Sequence, residues 1–329
     1  MSQETESAIN TYSFLGPSGT FTEAALAQVP EAVGKPWRAV SNVGEALDDV
    51  VAGRSVAAMI AIENSIEGGV SVAQDALATL PNLRIIGEYL VPVGFVLVAR
   101  PGVTLADVKT ITAHPVAYAQ CHVWLGANLP SHDQVPASSN VQAAASLLET
   151  DAAGHPASVA DAAIAPAGFP NSPLGRSGKL VVLAESIIDN PNAVTRFALV
   201  SRTRSIPEPT GADKTSIVAE LPDDAAGSLQ SLLEQFSTRG INLSLIESRP
   251  IGDALGRYRF VIDADGHIFE ERMADAMLGL RRFSPKLIFL GSYPRADKRT
   301  ADYHTRYSDD VFIEARDWLR GLLSEEPEV

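Results

Sequence analysis

YSFLGPSGTFTE, residues 12–23, joins a short apolar run, a glycine-bearing turn and the opening of an amphipathic stretch. Residues 12–15 read as a strand and 21–29 as the helix after it, the alternation that builds α/β layers with helices covering a largely parallel sheet. Thr20, with Glu23 three residues on, has the spacing of a capping box. The pattern repeats outward from this unit. Val43, Ala46, Leu47, Val50 and Val51 recur at helical spacing, Gly53 ends that helix, and 56–62 is a buried strand. A further helix opens near Val70, two extended stretches lie between Arg84 and Ala99, and 110–113 is another strand. Pro115 suits the first position of a helix running to about Asn128. Residues 138–149 are helical, and 180–188 and 194–201 are strands.

The periodicity breaks at RTRSIPEPTGAD, residues 202–213, where two prolines, a glycine and mixed charges mark a domain boundary. Beyond it come strand 215–221, helix 225–239 with Gly240 as its cap, strand 241–248, a turn at 252–256, strand 257–263, helix 268–281 and strand 287–293. That order is βαββαβ, a split βαβ unit. A charged stretch after Pro294 leads to an amphipathic helix in which Phe312, Ala315, Trp318, Leu319 and Leu322 share a face. The expected organisation is an N-terminal arm over 1–9, a first domain over 10–203, a linker at 204–213, a second domain over 214–294, and an extension over 295–329.

Composition narrows the function class. The 329 residues are 46% hydrophobic and 20% charged, and the net charge of −14 repels polyanions at long range, which argues against a nucleic-acid partner. An anionic ligand must then be held by local donors. One cysteine, Cys121, cannot form an intramolecular disulfide, so a reducing, cytoplasmic setting is expected. The polar first residues lack secretory signal features. The most apolar window, 89–99, is interrupted by Pro92 and Gly94 and falls well short of the roughly 20 residues a bilayer span needs, so no membrane association is expected.

Three segments could carry chemistry. In GPSGT (16–20), glycines let a ligand approach the backbone, helix N-terminal amides favour an anion, and Ser18 and Thr20 add hydroxyls. The same residues also fit a plain βα turn with a threonine cap. ENSIEGG (63–69) again follows a strand and opens a helix. Asn64 and Ser65 offer neutral hydrogen bonds, Glu63 and Glu67 need partners or solvent, and the alternative is a closed polar turn. In NAVTRF (192–197), Thr195 and Arg196 are adjacent and in a regular strand face opposite sides. An arginine there either pairs with an anion or reaches solvent from an edge strand. GRSGK (175–179) lacks the earlier glycine and the Ser or Thr of a phosphate loop, no G-x-G-x-x-G or G-x-S-x-G occurs, and the six histidines show no metal-ligand spacing. No metal site is expected. His114 before Pro115 reads as a strand-end cap and Cys121 as a helix-core residue.

Taken in order, GPSGTFTE from Gly16, AIENSIEGGV from Ala61, HPVAYAQC from His114, NAVTRF from Asn192, GINLSLIESRP from Gly240 and LGSYP from Leu290 resemble the prephenate dehydratase family. The resemblance runs from about Tyr12 to Pro294. It implies a catalytic domain of two α/β lobes, like a type II periplasmic binding protein, followed by a βαββαβ, ferredoxin-like ACT domain. It also implies decarboxylation and dehydration of prephenate to phenylpyruvate in L-phenylalanine biosynthesis, without metal or organic cofactor.

Carried onto these positions, Thr195 and Arg196 are the catalytic pair, and Ser18, Thr20, Asn64, Ser65, His114 and Phe197 bind substrate. The pattern has Gln where this chain has Val116, and PAGFPNSPLGR at 166–176 departs from it too. The effector L-phenylalanine is expected at Gly227, Ser228, Leu229, Glu247, Ser248, Arg249 and Pro250, between ACT domains of a homodimer or homotetramer. Two alternatives stay open at this point. An arogenate dehydratase is separated by comparing turnover of the two substrates. A non-enzymatic amino acid sensor is permitted by fold alone.

Overall fold

The computed structural model describes residues 10–252 and 256–323. The expected arm over 1–9, the tip of the 252–256 turn and the end of the chain from 324 lie outside the described residues. The protein is mixed α/β and divides into two compact units. One comprises the residues up to Val70 with Tyr89–Phe197, the other Ser71–Glu88 with the residues from Ala198 on.

The first unit holds two sheets. β1 (Tyr12–Leu15) lies parallel to β2 (Trp37–Val40) and to β3 (Ala57–Asn64), and the hairpin strand β4 (Gly68–Gly69) folds back on the end of β3. With β5 (Arg84–Pro92) and a late strand, β11 (Val194–Ser201), the order is β2-β1-β3-β11-β5. Helix α1 (Phe21–Leu26) starts where the Thr20 hydroxyl accepts from the Glu23 N–H. Helix α2 (Val43–Val51) buries Val43, Ala46, Leu47 and Val50, as its spacing predicts.

The second sheet has the order β10-β6-β9-β7-β8, from β6 (Phe95–Ala99), β7 (Thr110–Ala113), β8 (Asp133–Pro136), β9 (Ala162–Pro166) and β10 (Val181–Ala184). All five residues of β6 are buried. Phe95, Leu97 and Ala99 join a cluster with Ile111, Cys121, Leu125 and Ile164, while Val96 and Val98 join another with Ala143, Leu147 and Ala163, so apolar layers cover both faces.

Several expectations are corrected here. Both sheets are mixed rather than largely parallel, because β4 runs antiparallel to β3 in the first and β6 runs antiparallel to β9 and β10 in the second. Strands β2, β8 and β9 carry little sequence signal. β9 is alanine-rich, with Ile164 its one β-branched residue, and its pairing with β6 and β7 overrides that weak propensity. The expected helix over 21–29 stops at Leu26, and the strand over 180–188 shortens to β10. The helix expected over 115–128 is two, α4 (Pro115–Ala119) and α5 (His122–Asn128). A new helix starts at His122 because the Asp189 carboxylate, remote in sequence, accepts the Val123 and Trp124 N–H groups at 3.0 Å each.

The second unit contains β12 (Asp213–Glu220), helix α8 (Ser228–Ser237), β13 (Leu243–Pro250), β14 (Tyr258–Asp265), helix α9 (Glu271–Phe283) and β15 (Leu287–Pro294). The sheet order is β13-β14-β12-β15, with antiparallel pairing throughout. Its helices bury Leu232, Phe236, Met273, Ala276 and Leu280 against Ile217, Ala219 and Ile262. Helix α8 begins three residues later than expected, after Gly227 at φ +92°.

The 71–88 segment, which includes helix α3 (Ser71–Thr79), also belongs to this unit. Gly291 in β15 has φ +150°, and a Cβ there would come within 2.2 Å of the Ile85 carbonyl oxygen. Lys214 Nζ meets Glu88 Oε2 at 3.0 Å, both side chains being under a tenth exposed. After β15, Tyr307 packs on Gly240 and Tyr303 stacks under the buried Arg272 guanidinium, so the extension is tied to the sheet-and-helix layer. The closing helix α10 (Asp309–Leu323) has no buried residue. Of the expected apolar face, Trp318, Leu319 and Leu322 are at least half exposed.

Among the described residues no helix is long and apolar enough to cross a membrane.

The Lys214–Glu88 pair generates a stability prediction. Lys214→Met leaves a buried carboxylate without its ammonium partner and should lower unfolding stability by about 3–5 kcal/mol, read as a shift of the denaturant midpoint. A midpoint unchanged from the wild type would show that Glu88 is not electrostatically dependent on Lys214.

Candidate active site

The ends of β1, β3 and β7 and the start of β11 carry the residues singled out from sequence, the usual location of ligands in open α/β sheets. The tightest cluster joins β3 to β11. The Ser65 N–H donates to the Val194 carbonyl and the Ser65 hydroxyl oxygen accepts from the Val194 N–H, both at 2.9 Å. One step along, Asn64 Nδ2 donates to Thr195 Oγ1 at 3.1 Å. The next step pairs Arg196 Nε with Glu63 Oε2 at 2.7 Å. Three consecutive residues at the end of β3 thus meet three consecutive residues at the start of β11.

Thr195 and Arg196 are 8% and 6% exposed, so an edge-strand arginine reaching solvent is excluded. Glu63, left in need of a partner by sequence reasoning, is that partner.

The direction of the Asn64–Thr195 bond is set by the turn. Asn64 Oδ1 accepts from the Ile66 N–H at 2.9 Å and the Glu67 N–H at 3.4 Å, so the amide must turn its NH2 toward Thr195. Thr195 Oγ1 is therefore an acceptor from Asn64 and retains its own O–H as a donor.

The GPSGT turn differs from expectation. Its Glu23 carboxylate accepts from the Ser18 hydroxyl at 2.7 Å and from the Gly19 N–H. Thr20 donates to the Leu15 carbonyl and accepts from the Glu23 N–H. The reciprocal capping box is thus replaced by a turn that holds its own anion, and Ser18, Gly19 and Thr20 are engaged internally. Opposite this turn, a Cβ on Gly19 would lie 3.6 Å from Ser172 and from Val141, which places the 166–176 loop beside it. Ser172 caps the short helix α7 (Pro173–Arg176), accepting from the Gly175 N–H after helix α6 (Asn140–Ser146) has closed the preceding segment.

His114 caps α4 rather than a strand end. Its Nδ1 accepts from the Val116 N–H at 3.3 Å, and its own N–H donates to Asn140 Oδ1. Burial lowers its pKa below the ordinary histidine value, with the Glu67 charge opposing the shift. Val116 offers no polar side chain. One helical turn on, Gln120 is buried and both its amide atoms lack a hydrogen-bond partner among the described residues. Cys121 is fully buried in the second-sheet core and its thiol is pushed up to about 12 by burial, an inert packing residue. Phe197 is 1% exposed and lies among the buried hydrophobic residues of the core.

In the second unit, Ser228 donates to Asp223 Oδ1 at 2.5 Å and Leu229 is 40% exposed. Glu247, Ser248, Arg249 and Pro250 lie on β13, the edge strand, with Ser248 and Pro250 exposed.

The His114 environment predicts a titration below the ordinary histidine value. Glu67→Gln removes the opposing charge and should lower it further, as ring-proton NMR would read. A midpoint unchanged by that substitution would place Glu67 out of reach of the imidazole.

Comparison with known proteins identifies the family. Residues 12–205 match the family model for prephenate dehydratase. The chain is 39% identical to a prephenate dehydratase of Mycolicibacterium vanbaalenii, covering 95% of this chain and 98% of the relative. It is 40% identical to that of Amycolatopsis methanolica, covering 94% and 96%. A prephenate dehydratase from Arthrobacter aurescens, solved in complex with L-Phe, superposes with a TM-score of 0.86 at 53% identity, covering 95% of this chain and 99% of that one. These matches cover both units of a chain whose buried Thr-Arg pair is held by the Glu-Asn-Ser turn, and the chain belongs to the prephenate dehydratase family, enzymes of the carbon–oxygen lyase type.

Proposed function

We propose that this enzyme converts prephenate to phenylpyruvate for L-phenylalanine synthesis in the cytoplasm, with Thr195 and Arg196 as its catalytic pair. In the reaction the ring carboxylate leaves as CO2, its bonding electrons aromatise the ring, and the C4 hydroxyl departs as hydroxide. The main demand is therefore stabilisation of that leaving oxygen. The observation that carries the assignment is the Asn64–Thr195 bond, whose fixed direction preserves the threonine O–H as a preorganised donor.

A threonine hydroxyl is too weak an acid to release a proton early, so its contribution is a hydrogen bond that strengthens as charge develops. Arg196, pinned through Nε by Glu63, is the cation for a substrate carboxylate. Glu63 also offsets part of that charge, so the local donor to an anionic ligand is an oriented guanidinium rather than a broad positive field. Asn64 orients Thr195, Ser65 anchors the start of β11, and His114, whose proton affinity burial lowers, is held by its backbone N–H on Asn140. Ser18 and Thr20 act as turn-shaping residues, since their hydroxyls serve the turn itself.

The βαββαβ unit over 214–294 is read as an ACT domain that binds L-phenylalanine near Gly227, Ser228, Leu229 and Glu247 to Pro250, with chains associating as a homodimer or homotetramer. Three features support this reading. The L-Phe complex belongs to a relative covering 95% of this chain, the β13 edge is unpaired among the described strands, and the apolar side of α10 is exposed.

Thr195→Ala should lower turnover at least about a hundredfold, followed by the absorbance of phenylpyruvate formed from prephenate. Near-normal turnover would remove Thr195 from the reaction.

A further inference from the structure

We propose that Asp75 couples the effector segment to the catalytic turn, by holding Arg249 and Arg259 of the C-terminal sheet from the helix that continues directly out of that turn. The proposal rests on the feedback reading above.

Arg249 on β13 and Arg259 on β14 are register partners across the antiparallel ladder. Like charges in that position repel unless an anion is shared between them. Asp75 supplies it. Arg249 donates from Nε to Asp75 Oδ1 at 3.2 Å and from Nη2 to Oδ2 at 2.6 Å, a two-pronged fork, and Arg259 Nη2 donates to Oδ1 at 2.9 Å. Arg249 in turn keeps the Asp75 pKa low, with Arg259 adding to the effect.

Asp75 is the fifth residue of α3, six positions after Gly69. Gly68 and Gly69 pair with Asn64 and Glu63, the residues that hold Thr195 and Arg196, and the Val70 N–H donates to the Ile62 carbonyl one residue before α3 begins. A movement of α3 along its axis is thus applied to the Glu63–Asn64 ladder through one short length of chain. At the other end, Arg249 sits between Ser248 and Pro250 in the segment expected to contact phenylalanine, and the neighbouring Glu247 charge bears on it. A ligand at 247–250 would act on Arg249 and, through the fork, on α3.

Among the described residues, both amide atoms of Gln74, beside Asp75, and Nε of Arg259 are buried without a hydrogen-bond partner, and such groups are costly to leave unmade, so this contact is a place where a shift of α3 meets little opposition.

The test uses the full chain. Prephenate turnover is measured against phenylalanine concentration for the wild type, Asp75→Asn and Arg259→Gln, and phenylalanine binding is measured by calorimetry on each. Asp75→Asn should keep uninhibited turnover within about twofold of wild type and still bind phenylalanine, while the factor by which saturating phenylalanine lowers kcat/KM for prephenate falls at least about fivefold. Arg259→Gln, which keeps the Arg249 fork, should reduce that factor less, and it decides the matter if Asp75→Asn is not recovered folded.

An inhibition factor unchanged from wild type in the folded variants overturns the proposal. So does loss of turnover without phenylalanine, or loss of phenylalanine binding, since either would make Asp75 part of a site rather than the link between two. A wild type that neither binds phenylalanine nor responds to it removes the feedback reading itself, an outcome distinct from a responsive wild type with an equally responsive variant.

Discussion

The join between β3 and β11 is the constraint on which the site depends. Two strands more than a hundred residues apart are held at Ser65–Val194, Asn64–Thr195 and Glu63–Arg196 by backbone, amide and ion-pair contacts in succession. Each contact orients the next. The turn N–H groups set the Asn64 amide, the amide sets the threonine oxygen as acceptor, and the adjacent step holds the guanidinium. Arg196 is nearly buried, and a buried cation is tolerated only with its counter-charge in place, so the structure of this corner and its chemistry have the same requirement.

Electrostatics in the enzyme are local. A chain of net charge −14 that handles a dianion cannot rely on its overall field, and the acidic groups near the site are each assigned work. Glu63 faces Arg196, Glu23 fills its own turn, and Glu67 opposes the burial shift at His114. The second unit follows the same rule. Lys214 meets Glu88, and the facing arginines 249 and 259 meet Asp75. In both units a carboxylate from one segment makes the placement of a cation on another affordable.

Periodicity made much of the fold legible. The β12–β15 unit and its two helices emerge in the expected order because the helices and the edge strand β13 are local amphipathic elements whose pattern matches their burial, while turn signals bound the buried central strands β12 and β14. The site was legible as three short segments, since glycine turns and a Thr-Arg pair are unusual compositions for strand ends. Less visible were β9, whose alanines say nothing about strand until its neighbours bury both faces, and the break at Gln120–Cys121, created by an aspartate 67 positions beyond His122. The burial of Phe197 follows from alternation along β11 and the depth of the sheet, which no short motif specifies.

Sequence alone therefore determined the element types, their order, the candidate residues and the family resemblance, all properties carried by short windows of chain. Tertiary structure decided which carboxylate meets which cation. Glu63 and Arg196 are 133 residues apart, Asn64 and Thr195 131, and Asp75 and Arg249 174. No local pattern encodes such partners, since a charged residue in a half-exposed turn reads the same whether it ends in solvent or against a distant guanidinium. Only the packing of sheets and helices brings the charges close enough for the low dielectric around them to matter.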